Sequence, residues 1–155
     1  TQNAIDFCHA LGVDVPKVAI LSAVEKVKPN IQSTIDAAAL CKMSDRGQIT
    51  GGLLDGPLAF DNAISQQAAI DKHIVSDVSG DADILLAPDL EAANMIAKQL
   101  IYLANAKSAG IALGAKVPII LTSRADKTLA RLASCALASH MVHHKNSNYE
   151  DNSDR

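Results

Sequence analysis

The sequence has no tryptophan, and aromatic residues make up only 3% of its 155 residues. Its core must therefore be built from aliphatic side chains, and a hydrophobic content of 48% supplies enough of them for one ordinary domain. This content also argues against an intrinsically disordered chain, which has low hydrophobicity and high net charge. No uninterrupted apolar run approaches the roughly 20 residues of a membrane-spanning helix. We therefore expect a folded domain that does not act on a membrane.

Cysteine is also scarce, and its spacing excludes the usual cysteine-based sites. Cys8, Cys41 and Cys135 are odd in number, far apart and set among apolar neighbours, without a CxxC pair. This pattern predicts free thiols in a reducing compartment, and hence a cytoplasmic protein. The first residues, TQNAIDFCHALG, lack the basic leader of a signal peptide. Because Thr1 is not an initiator methionine, we expect the chain to be part of a longer product.

An excess of positive charge is absent as well. Fourteen basic and seventeen acidic side chains give a formal net charge of −3. Such a surface has no overall attraction for nucleic acid or for anionic lipid, which excludes the classes of protein that bind them through charge. Any site for an anion must therefore be local.

Short apolar runs alternate with helical patterns along the chain. The apolar runs predict strands at 18–24, 49–55, 82–88, 109–115 and 117–122, and helical spacing predicts helices at 1–11, 30–43, 57–74, 89–104 and 124–142. This alternation predicts a single α/β domain over 1–142, with a three-layer αβα architecture and an open, mostly parallel sheet. Residues 143–155 are polar and without periodicity, so we expect a disordered tail there.

The apolar stripe of the fourth predicted helix is wider than that of an ordinary surface helix. Its main stripe is extended by further apolar residues between 95 and 103. The pattern therefore predicts that either a second layer of the fold or another subunit covers this helix.

The segment TSRADKTLARLAS follows the last predicted strand and opens the last predicted helix. A helix N-terminus at the carboxyl end of a strand offers N–H donors to phosphate or carboxylate groups. Ser123 would add a hydroxyl, Arg124 a bidentate clamp and Asp126 a general base. The spacing of Ser123 and Asp126 also has the form of a capping box, which would make their role structural. The two interpretations are compatible, and both stay open.

Two earlier junctions between a strand and a helix carry polar residues as well. In GGLLDGPLAFDNA, Asp55 and Gly56 lie beside further glycines and acids, but the segment matches neither GxGxxG nor a P-loop. In APDLEAANMIAK, Asn94 and Lys98 are one helical turn apart, and Asp89 is placed to cap the helix. Turn formation and capping account for both segments on spacing alone.

No pattern in the sequence indicates a metal site or a nucleophilic residue. His140, His143 and His144 are close in sequence, but no carboxylate or thiolate at a supporting spacing accompanies them. GxSxG and HExxH motifs are absent. We therefore expect neither a bound metal nor a tightly bound cofactor.

Taken together in their order, the three junctions resemble the phosphate acetyl/butyryltransferase family. The resemblance rests on GGLLDGPLAFDNAIS, SGDADILLAPDLEAANMIAKQL, AGIALGAKVPIILTSRAD and RLASCALA, and extends from about Val18 to Ala138. It implies transfer of a short acyl group between coenzyme A and inorganic phosphate. It also implies a fold similar to that of isocitrate and isopropylmalate dehydrogenases, homodimers, and coenzyme A as a substrate. This chain resembles the second domain and C-terminal part of such enzymes.

The resemblance assigns roles to residues of this chain. Ser123 and Arg124 match the family's phosphate-binding pair, while Ala130 stands near the position of its catalytic aspartate. Asp126, the nearest carboxylate, is therefore the predicted base, and Arg124 the second catalytic residue. The predicted substrate-binding residues are Ser123, Arg124, Asn94, Lys98, Asp55 and Gly56.

Two other interpretations of the chain remain. In the first, the chain is an isolated dimerisation and ligand-binding domain that is inactive without its other half. In the second, it is a relative of the decarboxylating dehydrogenases. The second of these is weaker, because those enzymes bind a divalent cation through acidic residues and no matching constellation occurs here. The acyl-chain length cannot be predicted from the sequence.

Overall fold

The computed structural model describes the backbone of residues 1–153 and the side chains of residues 1–144. The helices are α1 (Gln2–Ala10), α2 (Gln32–Asp45), α3 (Phe60–Ile64), α4 (Gln66–Asp71), α5 (Leu90–Tyr102) and α6 (Thr128–Ser153). The strands are β1 (Lys17–Leu21), β2 (Leu53–Leu58), β3 (Ile84–Leu86), β4 (Ile111–Ala112) and β5 (Ile119–Ile120). Contacts divide the chain into two compact units, Thr1–Ile96 and Ala97–Arg155. The single domain predicted over 1–142 stays a prediction.

The first unit is built on a three-stranded parallel sheet in the order β2-β1-β3. In the register of this sheet, Val18 lies opposite Leu54 on one side and opposite Ile84 on the other. The central strand, KVAIL, is buried over its last four residues. A continuous run of aliphatic residues suits a strand that is covered on both faces, as the sequence predicted.

Helices pack on both faces of this sheet. Successive side chains of β1 point to opposite sides of the sheet, so each face has its own buried cluster. Val18 and Ile20 join one buried cluster, and Ala19 and Leu21 join the other. The first cluster is completed by Ile5 of α1, Ala37 of α2 and Ile49, and the second by Leu58, Ala63 of α3 and Val78. The mixed α/β class with a parallel sheet is thereby confirmed.

The predicted helix 57–74 is two shorter helices. Pro57 does not start a helix, because it lies in β2. This strand continues to Leu58, and α3 begins only at Phe60. The helix is interrupted at Ser65, whose backbone is extended and whose hydroxyl accepts the N–H of Ala68 at 3.3 Å. Ser65 is thus an N-cap in the middle of an apolar pattern that appeared continuous.

The second strand is displaced from its predicted position at 49–55. Gly51 has a φ of +81°, in the left-handed region, which is incompatible with a strand. The strand therefore begins only at Leu53, after both glycines. The pattern of apolar residues alone did not reveal that the backbone at Gly51 adopts a conformation that a strand excludes.

The second unit contains an antiparallel hairpin, which corrects the prediction that these strands join a parallel sheet. Ile111 lies opposite Ile120 and Ala112 opposite Ile119. A parallel pair needs a crossover of about a dozen residues or more, and the connection here is far shorter. The hydroxyl of Ser134 on α6 accepts the N–H of Gly110 at 3.0 Å, which ties the hairpin to this helix.

Helix α6 differs from its predicted bounds at both ends. It begins at Thr128 rather than at 124, and its backbone continues to Ser153 through most of the predicted tail. Asp154 and Arg155 lie outside the described residues. Helix α5 also differs from expectation, since none of its residues is buried within this chain.

Candidate functional site

The polar residues of the first unit gather where its parallel strands end. Chain segments leave the carboxyl ends of β1, β2 and β3 at Ser22, Ala59 and Ala87. Because the strands are parallel, these ends share one edge of the sheet, which is the edge where open α/β sheets bind ligands. The sequence pattern marks the segments after β2 and β3 as candidate sites but not the segment after β1.

Asp55 and Gly56 lie within β2, next to the central strand. The N–H of Gly56 donates to the Asp55 carboxylate at 2.8 Å. A Cβ at position 56 would lie 2.7 Å from the Cβ of Ile20 and 3.3 Å from that of Ala37. Glycine therefore lets β2 approach both β1 and α2, so the structure gives Gly56 a packing role. Its role in binding substrate stays a prediction.

A charged cluster at the same edge was missed by sequence analysis. The ammonium of Lys72 lies 2.9 Å from the Asp61 carboxylate and 3.5 Å from that of Glu25. The hydrogen bond from Lys72 lowers the pKa of Asp61, and the same bond raises the pKa of Lys72. The cluster connects α3, the end of α4 and the segment after β1. No spacing in the sequence indicates it, because the three residues come from separate segments.

Asn62 is a buried polar residue of this edge whose amide lacks partners. Its side chain is fully buried, and neither its Nδ2 nor its Oδ1 has a hydrogen-bond partner among the described residues. Its backbone carbonyl accepts the hydroxyl of Ser79 at 2.6 Å. An unpaired buried amide costs about 1–3 kcal/mol of stability. Asn62 therefore does not contribute to folding through its side-chain amide.

The junction after β3 confirms a predicted cap. The carboxylate of Asp89 accepts the N–H of Ala92 at 2.7 Å, as an N-cap residue of α5 does. Asn94, one turn into this helix, is exposed. Nothing in the first unit engages its side chain, so its assignment as a substrate-binding residue stays a prediction.

In the second unit, Ser123 and Asp126 form a closed turn before α6. The N–H of Ser123 donates to the Asp126 carboxylate at 2.7 Å, and the N–H of Ala125 donates to the Ser123 hydroxyl at 3.4 Å. The first of these bonds is the one that a capping box predicts, but it closes a turn rather than a helix. Arg124 is exposed in this turn, so the prediction that it stands at a helix start is wrong.

A cavity of about 610 Å³ lies in the second unit. It is bounded by the C-terminal part of α5, the segment that follows this helix, the turn at 125–127 and the first turns of α6. Its lining includes two predicted site residues, Lys98 and Asp126. Ser123 and Arg124 are not part of the lining, although they belong to the same turn as Asp126.

The cavity is locally basic although the chain is acidic. Lys98, Lys107 and Lys127 line it, against one carboxylate, that of Asp126. The ammonium of Lys98 lies 5.9 Å from the centre of the Tyr102 ring, a cation–π distance. Tyr102, Lys107 and Lys127 were not selected from the sequence, because only the fold brings the end of α5 to the start of α6.

Two kinds of feature are absent from the described part of the chain. Within it, no cluster of three or more histidine, cysteine, aspartate or glutamate side chains is arranged to hold a metal ion. The helices described in the structure include none of the length and hydropathy that a bilayer crossing requires.

Comparisons with known proteins agree with this picture. The family model described as phosphate acetyl/butaryl transferase matches residues 1–139. A phosphate acetyltransferase of Rhizobium meliloti is 65% identical over 137 residues, which are 88% of this chain and 43% of that protein. A probable phosphate butyryltransferase of Bacillus subtilis is 55% identical over 137 residues, which are 88% of this chain and 46% of that protein.

Among solved structures, the chain is similar to a branched-chain phosphotransacylase from Enterococcus faecalis. The TM-score is 0.81 at 35% identity, over 92% of this chain and 51% of that one. The chain thus spans about half the length of the proteins it matches. Since the family model covers 1–139 of the 155 residues, the chain belongs to the phosphate acetyl/butaryl transferase family.

Proposed function

We propose that the protein to which this chain belongs transfers a short-chain acyl group between coenzyme A and inorganic phosphate. The reaction converts acyl-CoA and phosphate into acyl phosphate and free coenzyme A, and it runs in both directions. The observation that carries the proposal is the family match over residues 1–139. The basic cavity next to a carboxylate supports it, because the substrates and products are phosphorylated.

In the direction of acyl-CoA formation, we assign the role of general base to Asp126. Its carboxylate takes the proton of the coenzyme A thiol, and the thiolate attacks the carbonyl carbon of the acyl phosphate. The tetrahedral oxyanion then collapses, the carbon–oxygen bond to phosphate breaks, and phosphate leaves. A base is needed because a free thiol has a pKa of about 8.5 and is mostly protonated at pH 7. The bond from the Ser123 N–H supports this role by fixing the carboxylate in place.

Arg124 is the second catalytic residue of the proposal. Its exposed guanidinium is free of ion pairs with the described residues, so it is available to an oxyanion or a phosphate. Ser123 and Lys98 would contact phosphate oxygens as well. Asn94, Asp55 and Gly56 are the remaining proposed substrate-binding residues, and they rest on the family resemblance alone.

The proposal includes the setting in which the chain acts. It would be the second domain and C-terminal part of a two-domain enzyme whose fold is similar to that of isocitrate and isopropylmalate dehydrogenases. The enzyme would be a cytoplasmic homodimer that uses coenzyme A as a substrate and holds no cofactor tightly. The exposed apolar residues of α5 support the dimer, because such a surface gains free energy when a second copy covers it.

A second candidate is that this chain alone is an inactive ligand-binding and dimerisation domain. The observation in its favour is that the chain covers only 43% of the Rhizobium meliloti relative. Release of coenzyme A from acetyl-CoA and butyryl-CoA with phosphate separates the two candidates. Turnover by this chain supports the first. Turnover only by the full-length gene product supports the proposed activity and assigns this chain alone to the second candidate, whereas no turnover by either refutes the proposed activity.

The role of Arg124 is tested in the active form of the protein. We expect Arg124→Ala to lower kcat/KM about thirtyfold, which corresponds to about 2 kcal/mol of lost transition-state stabilisation. Arg131→Ala is the matched control, because Arg131 is also an exposed arginine but lies within α6, outside the turn that contains Ser123 and Asp126. Equal kinetics of the two variants would contradict the assignment.

A further inference from the structure

Three lysines of the second unit have no ion pair within the described part of the chain. Lys98, Lys107 and Lys127 line the cavity between the end of α5 and the start of α6, and the ion pairs of the structure involve other lysines. The carboxylate of Asp126 lines the same cavity and accepts the N–H of Ser123 at 2.7 Å. The cavity therefore attracts phosphorylated compounds and presents amines to them that no carboxylate holds.

Lys127 differs from the other two lysines in its position and its contacts. It is exposed and lies between the turn Ser123–Asp126 and the first residue of α6. The ammonium of Lys98, by contrast, lies 5.9 Å from the centre of the Tyr102 ring, and Lys107 belongs to the segment after α5. Lys127 is thus the cavity lysine that follows the proposed catalytic turn most closely in the chain.

The proposed reaction exposes such a lysine to an acylating agent. An acyl phosphate is a mixed anhydride, and its acyl group passes to an amine without any further reagent, because phosphate is the leaving group. The amine must be neutral, and only a small fraction of a lysine is neutral near pH 7. The transfer is therefore slow in free solution and faster where the two reactants are held together.

We propose that Lys127 is a site of covalent acylation by the acyl phosphate that the enzyme forms. Its neutral Nζ attacks the carbonyl carbon, a carbon–nitrogen bond forms, and the carbon–oxygen bond to phosphate breaks. Phosphate leaves with the electron pair and takes up the proton that the nitrogen loses, so an amide remains. The inference rests on the proposed function, which supplies the acyl phosphate. It adds a modification site that neither the reaction nor the family match assigns.

Acylation of Lys127 changes the charge of the cavity. The amide is neutral, so the ammonium groups of Lys98 and Lys107 remain against the carboxylate of Asp126. The local attraction for phosphorylated compounds falls with the loss of the third positive charge. Accumulated acyl phosphate therefore weakens the binding of such compounds in the second unit.

The test incubates this chain with acetyl phosphate and measures the acetylated fraction of each lysine by peptide mass spectrometry. We expect Lys127 to be acetylated about tenfold faster than Lys116, an exposed lysine of the same unit that does not line the cavity. In urea the two rates become similar, because unfolding removes the cavity. Similar rates in the folded chain overturn the proposal. A preference that persists in urea also overturns it, because the neighbouring residues in the sequence alone would then cause it.

A pair of matched variants assigns the reaction to one amine. Lys127→Arg keeps the positive charge and removes the reactive amine, so the chain loses the fast uptake of one acetyl group in its intact mass. Lys116→Arg keeps this uptake. Inorganic phosphate, added at constant ionic strength, slows the acetylation of Lys127 and leaves that of Lys116 unchanged. Fast uptake by Lys127→Arg, or equal effects of phosphate on the two lysines, contradicts the proposal.

The outcome is distinguishable from a failure of the proposed function. Acetyl phosphate is supplied directly, so the labelling of Lys127 does not depend on turnover. Selective labelling without release of coenzyme A from any acyl-CoA would refute the activity and retain the modification site. Turnover without selective labelling would retain the activity and refute the modification site.

Discussion

At the scale of single residues, Cys41 shows how packing suppresses chemistry. Its thiol is partly buried between α2 and β2 and donates to the carbonyl of Gly56 at 3.6 Å. Burial, and to a smaller extent the nearby charge of Asp55, raises the pKa of this thiol to about 11. A thiol with such a pKa is neutral at physiological pH. Cys41 is therefore part of the packing beside β2 and not a nucleophile.

This pKa predicts slow alkylation of Cys41. At pH 8, a pKa of about 11 in place of 9.0 lowers the thiolate fraction about a hundredfold. We expect iodoacetamide to modify Cys41 in the folded chain about a hundredfold more slowly than in urea. Mass spectrometry of the peptide that contains Cys41 measures both rates. Similar rates in the two states would contradict the prediction.

The same shift makes stability depend on alkaline pH. Because the folded pKa lies above the unfolded value, the contribution of the neutral thiol is complete below about pH 9 and is lost as pH rises towards 11. Urea unfolding of Cys41→Ala should show a shallower decline over this window. The comparison uses the slopes with pH, since the substitution also removes buried volume.

At the scale of secondary-structure elements, the ion pairs of Lys72 connect three segments. Asp61 belongs to α3, Lys72 follows α4, and Glu25 lies after β1. These contacts fix the segment after β1 against the helices that follow β2. Such partly exposed pairs contribute modestly to stability and are screened by salt. Their main effect is on the shape of the carboxyl edge of the sheet.

We therefore expect Lys72→Met to lower Tm by a few degrees at low salt and by less in about 1 M sodium chloride. The control is Lys26→Met, because Lys26 is an exposed lysine of the same segment as Glu25 and forms no ion pair within the described residues. Thermal unfolding followed by circular dichroism measures both variants. The prediction fails if the two have the same Tm at low salt.

Elements whose cause is local were predictable, and those that depend on distant partners were not. The cap at Asp89 follows from a side chain that bonds to its own helix, and the structure contains that bond. The start of α6 was misplaced because Ser123 and Asp126 satisfy each other in a turn. Only some of the polar residues that line the cavity were predicted from the sequence. Lys98 and Asp126 lie at strand-to-helix junctions that the sequence pattern marks, whereas Tyr102, Lys107 and Lys127 join them only through folding.

At the scale of the whole molecule, much apolar surface stays uncovered within this chain. In the unit Ala97–Arg155, Leu103 is 85% exposed and Leu121 is 67% exposed. Isolated exposed leucines are normal, but α5 contains no buried residue at all. The wide apolar stripe that the sequence predicted to be covered is therefore available to a second copy.

We expect this surface to mediate dimerisation of the chain. Sedimentation velocity should show a dimer, and Leu103→Glu should shift it to a monomer, because a charge in a buried apolar contact is costly. Val75→Glu is the control, since Val75 is fully exposed and belongs to the other unit, Thr1–Ile96, whereas Leu103 directly follows α5. A monomeric wild type, or a dimer unaffected by Leu103→Glu, contradicts the prediction.

The position of β1 between β2 and β3 has a consequence for the order of folding. Val18 pairs with Ile84 only after α2, β2, α3 and α4 have been synthesised. Until then β1 is an edge strand, and its backbone groups on one side are open to pairing with another chain. Contacts between such distant residues also slow folding. We therefore expect a nascent chain to be open to pairing with another chain along this side of β1 until β3 has been synthesised.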